Sequence, residues 1–292
     1  MKVTDQKPHR RQQARAMLLA LAAVSVLAAS AAKAQSEKAP DEDRSRVTIG
    51  VGAATLPDYE GADENSITPG AIIVGKVAGH DFFTRGTQLY FNLVPSRSGP
   101  GTNFELGVIG AARLDRTGEV KDLRVRALGK LGTAWEAGGY VGITRTGLIT
   151  SDYDTLTVRV AYVRDVSNVH DSYVVTPQIY YATPLSRSTL VSIGASADYV
   201  GKDYGRTYFA VSPAGSLASG LPAYAIDDGG WKRYTVTAFA LQSLTGDLRR
   251  GLGVGGGVMY GRLLGKYKRS PIVSDAGDAK QLSAAIGLTF TF

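Results

Sequence analysis

Hydrophobic and polar residues alternate along most of this chain with a period of two. Side chains of a strand point to opposite faces in turn, so such runs predict half-buried strands. The last run shows it clearly: Ile286, Leu288, Phe290 and Phe292 form an apolar face, and Gly287, Thr289 and Thr291 a small polar one. The pattern recurs in twelve segments. They lie near Val47–Ala53, Ile67–Lys76, Phe83–Val94, Phe104–Val108, Leu123–Leu131, Tyr140–Thr144, Leu156–Tyr162, Tyr173–Tyr181, Val191–Tyr199, Tyr234–Ser243, Leu252–Leu263 and Gln281–Phe292. A turn at Glu136–Gly139 is expected to precede the sixth. Each segment is a weak signal alone, but the pattern repeats in about twelve strands, each near the roughly 9–11 residues that a tilted membrane strand needs.

Connection lengths sort by parity. The connections after segments two, six and eight, near Ala78–Asp81, Thr150–Tyr153 and Pro184–Ser188, are short. The long ones, Val200–Trp231 and Leu264–Lys280, follow segments nine and eleven, and Leu56–Ser66 follows segment one. With both termini in the periplasm, the long connections fall on the cell exterior. The expected fold is therefore all-β, a transmembrane antiparallel up-and-down barrel of about twelve strands. The final strand resembles the closing strand of bacterial outer-membrane barrels, which ends on Phe. By that resemblance Phe290 and Phe292 would be the signal read by the barrel assembly machinery.

The N-terminal region agrees on location. Lys2, Lys7, Arg10, Arg11 and Arg15 precede an apolar run from Met17 to Ala29, then Ala32-Lys33-Ala34 offers a small-residue cleavage site. That predicts a signal peptide over 1–34, cleaved after Ala34, because the run is too short to span a ~30 Å hydrocarbon core. Residues 35–46, with SEKAPDEDRSR, read as a flexible periplasmic leader, and 47–292 as the barrel. The signal carries six of the 33 Lys/Arg and one of the 26 Asp/Glu, so its removal lowers the net charge from +7 to +2. No nucleic-acid partner is expected from that balance. There are no cysteines, hence no disulfide framework or thiolate ligand.

Candidate chemistry is sparse, and no catalytic, metal or cofactor site is expected. His80 and His170 are the only histidines after the signal, too few for a histidine cluster. His170-Asp171 offers a general base beside a carboxylate, but adjacent loop residues seldom aim at one reacting atom, so a non-enzymatic protein is expected. Asp58, Glu60, Asp63 and Glu64 lack calcium-loop spacing and suggest at most weak divalent binding that bridges to lipopolysaccharide. Gly253-x-Gly255-Gly256-Gly257 lies in a strand and opens no helix, so it is no dinucleotide fingerprint. Arg124, Arg126, Lys130 and Arg159 fall on faces assigned inward, since a cation facing lipid at mid-depth costs about 2–4 kcal/mol. They would either select anions in a pore or pair with Glu105 and Asp198 to plug a narrow barrel; the plug is the favoured expectation.

Gly52-Ala53 followed by Pro57-Asp58-Tyr59-Glu60-Gly61 closely resembles the opening strand and loop of the MipA/OmpV family of outer-membrane proteins. Tyr208-Phe209-x-Val211, Ser219-Gly220-Leu221-Pro222-x-Tyr224, and Arg262-Leu263-Leu264-Gly265 with Ser270-Pro271-Ile272-Val273 extend the resemblance from about Val47 to Phe292. Lys266-Tyr267-Lys268 departs from it, where an acidic-alanine stretch is expected. The resemblance implies a scaffold that binds a lytic transglycosylase and a penicillin-binding protein, coupling cell-wall hydrolysis to synthesis, or else a small-solute pore or surface protein. Murein enzymes work in the periplasm, whereas the motif-bearing loops fall on the exterior. Either these loops fold into the lumen for stability, the favoured expectation, or partner contacts use only the short turns and the leader Gln35–Arg46.

Overall fold

The computed structural model describes residues 45–292; the expected signal peptide and nearly all of the leader lie outside them. Twelve antiparallel strands close into one barrel, each paired with its sequence neighbour, and β1 (Arg46–Pro57) pairs with β12 (Lys280–Thr291). Between them run β2 (Asn65–Val77), β3 (His80–Arg85), β4 (Gln88–Asn92), β5 (Gly101–Arg113), β6 (Ala134–Thr146), β7 (Thr155–Asp165), β8 (Tyr173–Pro184), β9 (Thr189–Val200), β10 (Gly230–Ser243) and β11 (Gly251–Leu263). Closure leaves no free edge. Phe292 N donates to the Val47 carbonyl at 2.9 Å, so both strand ends meet at one rim, the terminal rim.

The strand count agrees with the sequence pattern, but by two offsetting differences. The single expected strand Phe83–Val94 is a hairpin, because Gly86 takes φ +57° and turns Arg85 back onto Gln88. The expected strand Leu123–Leu131 is instead a helix, α1 (Leu123–Ala127), within the β5–β6 connection. Asp122 decides this: its Oδ1 accepts the N–H groups of Arg124 at 2.8 Å and Val125 at 3.0 Å, a side-chain N-cap. Glu136–Gly139 form no turn and lie inside β6, where a Cβ on Gly138 would sit 1.9 Å from the Tyr162 carbonyl oxygen.

Parity holds throughout the described residues. Connections at the terminal rim are short, whereas the opposite, distal rim carries α1 and the helices α2 (Lys202–Phe209), α3 (Pro213–Ser219), α4 (Gly265–Arg269) and α5 (Pro271–Ser274). The outer wall is a belt of exposed apolar side chains, among them Val51, Leu106, Ile143, Val160, Ile193, Leu288 and Phe290. A belt this extensive is stable only against hydrocarbon. Near the distal rim it is edged by Trp135, Tyr162, Tyr173, Tyr199, Trp231, Tyr234 and Tyr260, whose amphipathic rings suit a membrane interface.

Candidate functional site

The distal connections fold inward and fill the lumen beneath their own rim. On α2, Tyr204, Tyr208 and Phe209 are buried together against Ile109, Val163, Val174, Val200 and Leu263 of the wall. Above them Tyr59, Val125, Val211, Leu221, Ile272 and Ala276 form a second apolar layer drawn from four different connections. Polar ties fix the layers: Tyr59 OH donates to the carbonyls of Ile272 at 3.2 Å and Ala276 at 2.5 Å, and Ser270 Oγ donates to the Phe209 carbonyl at 2.5 Å. Gly61 adopts φ +104°, and a Cβ there would lie 2.6 Å from Val273 Cγ2, so this position suits glycine alone.

Around the Tyr204 hydroxyl, within the first apolar layer, lies a buried ion network. Lys232, with no exposed side-chain surface, places Nζ 2.6 Å from Glu60 Oε1 and 3.6 Å from Asp198 Oδ2. Arg233 contacts the same two carboxylates at 3.1 and 2.7 Å. A register shift between Trp231 and Arg233 breaks the alternation, so consecutive residues Lys232 and Arg233 both serve the lumen. Tyr204 OH donates to Glu60 Oε2 at 2.8 Å and accepts from Lys232 Nζ at 3.0 Å and an Arg113 Nη at 3.1 Å. Arg113 holds Glu136 with two bonds of 2.7 and 3.1 Å. His170 completes the set: its Nδ1 accepts from Ser172 N–H at 3.2 Å, so Nε2 carries the proton and donates to Glu136 at 3.0 Å.

Glu60 lies in the β1–β2 connection. Burial alone would raise its pKa, but Lys232, Arg233 and Arg113 outweigh burial and bring it down to about 2. A carboxylate lowered on folding stabilises the fold above its ordinary value of 4.5 and loses that contribution as pH falls through the folded value. The plug is therefore expected to loosen between about pH 4.5 and pH 2 while the strands stay paired. Protease cleavage within 202–229, followed against pH, checks this.

The sequence-expected residues fall into two groups. Arg159 lies inside, its Nη2 2.7 Å from Glu105 Oε2 and its guanidinium over the rings of Phe83, Tyr90 and Tyr140 at 4.7–5.8 Å. Arg124, Arg126 and Lys130 are on no barrel strand: Arg124 pairs with Asp122, Arg126 bonds the carbonyls of Val120 and Lys121, and Lys130 is exposed in the loop. Pro57 ends β1, and Asp58 accepts from the Ser66 hydroxyl and Lys121 N–H. Pro271 opens α5, and Arg262 pairs in register with Lys280 at the distal end of β11. Glu60 turns inward while Glu64 meets Lys121 at 3.7 Å, so the acidic cluster does not converge. Where the motif departs, Lys266 Nζ bonds the carbonyls of Asp228 and Gly229, and buried Tyr267 meets Phe209 edge-on at 5.3 Å.

The sequence matches the family described as MltA-interacting protein MipA over residues 49–292. The chain belongs to the MipA family. No curated protein matches the sequence. Several solved structures are similar. OprD from Pseudomonas aeruginosa is 10% identical, with 84% of this chain and 65% of that chain covered and a TM-score of 0.37; the chain thus spans about two thirds of OprD. The channel DcaP of Acinetobacter baumannii (10%, 88% and 99%, 0.38) and an outer-membrane channel of Pseudomonas putida F1 (11%, 88% and 100%, 0.38) are similarly distant. Family membership and the closed barrel with its lipid-facing belt place the MipA-family chain in the Gram-negative outer membrane.

Proposed function

We propose that this MipA-family barrel is a non-enzymatic scaffold holding a lytic transglycosylase and a penicillin-binding protein at the outer membrane, so that murein is cut and extended together. The family's description as an MltA-interacting protein supports the first partner, and the family resemblance supports the second. The observation that carries the reading is the plug: ion pairs and packed helices fill the distal lumen, which is poorly suited to bulk ion flow and leaves the rims as working surfaces. The loops with family motifs are consumed in that plug, so partner contacts are assigned to the terminal-rim turns. Leu148, Ile149 and Tyr153 are exposed there on a turn held by Asp154, which accepts the N–H groups of Leu148, Ile149 and Thr150. Exposed Phe290 and Phe292 suit recognition by the barrel assembly machinery, and the Arg262–Lys280 pair suits lipopolysaccharide phosphates.

The purified barrel is expected to retain a lytic transglycosylase and a penicillin-binding protein from detergent-solubilised membranes. Ile149→Asp with Tyr153→Asp is expected to weaken retention about tenfold or more, as loss of buried anchor residues does. Retention of neither enzyme by the unmodified barrel would sink the scaffold. The alternative, a small-solute pore or surface protein, draws on the part of the lumen that the plug does not fill.

A further inference from the structure

The inner wall has two unlike sides. From β3 to β10 it is filled by the plug, by Arg159 with its aromatic neighbours, and by Arg85, whose Nη2 reaches Ser196 at 2.9 Å. β3 and β9 lie six strands apart in the closed barrel, so Arg85 crosses the lumen as a partition, its guanidinium over Tyr180 at 5.6 Å. On the other side, β1 and β2 pair Gly50 with Ile72, Gly52 with Gly70 and Thr48 with Val74. A Cβ on Gly50 would lie 2.7 Å from Ile72 and 3.1 Å from the side chain of buried Thr289, which fixes this set as inward-facing. Yet Ile72 is 42% and Val74 45% exposed, and a Cβ on Gly70 would meet no atom within 4 Å. Inner barrel walls are ordinarily polar or packed. Between Thr48 at one end and Thr68 at the other, this stretch is apolar and open.

We propose that the lane along Gly50, Gly52, Ala54, Gly70, Ile72 and Val74 takes a small uncharged, apolar solute. None of these side chains offers an ion anything in exchange for its hydration shell, so charged solutes are turned away by the desolvation cost. An apolar solute gains by covering Ile72 and Val74. The cations facing this side, Arg46 and Lys76, pair in register at the terminal rim, where Lys76 Nζ is held by the Ser96 carbonyl at 2.9 Å. The site stands whether or not the barrel holds a murein enzyme.

The chain has no cysteine, so single thiols report the lane cleanly. Gly70→Cys needs no rearrangement, Ile72→Cys repeats the test one step along the lane, and Leu217→Cys, at 91% exposure on α3, is the open reference. Each variant is folded into phosphatidylcholine vesicles, checked by the gel shift between unheated and boiled samples, and treated with neutral benzyl, cationic trimethylammonioethyl or anionic sulfonatoethyl methanethiosulfonate. The ratio of neutral to charged rates at positions 70 and 72 is expected to exceed that at 217 by about tenfold or more, the mark of a desolvating wall. Equal ratios at all three positions, or no labelling of folded Gly70→Cys and Ile72→Cys by any reagent, would overturn the proposal.

Discussion

Glu60→Ala is expected to unseat the plug. The substitution leaves the fully buried Lys232 ammonium with the neutral Tyr204 hydroxyl and a single carboxylate, Asp198, 3.6 Å away and already bonded to Arg233, and it takes from Tyr204 OH its acceptor. Removing one partner of a buried ion pair costs about 3–5 kcal/mol, because the remaining charge stays desolvated. The cost falls on the connections and not on the strands, since the ladders of β1 with β2 and β12 do not involve the Glu60 side chain. Accordingly, residues 202–229 should become protease-sensitive and transient openings should appear in planar bilayers, while the heat-dependent gel shift of the folded barrel persists. Glu60→Gln, which keeps an acceptor for Tyr204, should be milder. Unchanged protection in Glu60→Ala would show that the ion network does not hold the plug.

Phe209→Ala should loosen the plug from its apolar side. The ring is fully buried at the end of α2, and removal of such a ring typically costs about 3–5 kcal/mol through lost burial and the cavity left behind. Tyr267 loses its edge-on partner, so the β11–β12 connection loosens together with β9–β10. A lower urea midpoint for plug exposure, with barrel unfolding unchanged, is the expected result. Unfolding of plug and barrel in a single shifted transition would show instead that the wall depends on its filling.

The barrel was legible in the sequence because its outer face repeats one decision, apolar at every second residue, along every long strand. Where that alternation failed to decide, local chemistry did. Leu123, Val125 and Ala127 alternate as a strand would, but the N-cap of Asp122 turns the segment into a helix that buries Val125 in the plug. Gly86 splits one apparent strand into two. The interior was harder to read because its pairs join distant residues: Glu60 to Lys232, Arg113 to Tyr204, and Arg85 to Ser196 across the lumen. Arg159–Glu105 could be anticipated because both residues keep strict inward parity on β7 and β5. Lys232 could not, since strict alternation puts it and Arg233 on opposite faces, and only the irregularity after Trp231 brings both to the lumen. The acidic loop carried the one usable hint, as a glutamate set among family-like motif residues is more than a solvated charge.

Ion conductance of the unmodified chain in planar bilayers tests the plugged barrel most directly. A barrel filled by α2 and crossed by Arg85, with only an apolar lane beside them, should show no steady ohmic channel in salt solution, whereas Glu60→Ala should flicker open. A stable, voltage-independent conductance from the unmodified protein would contradict the account.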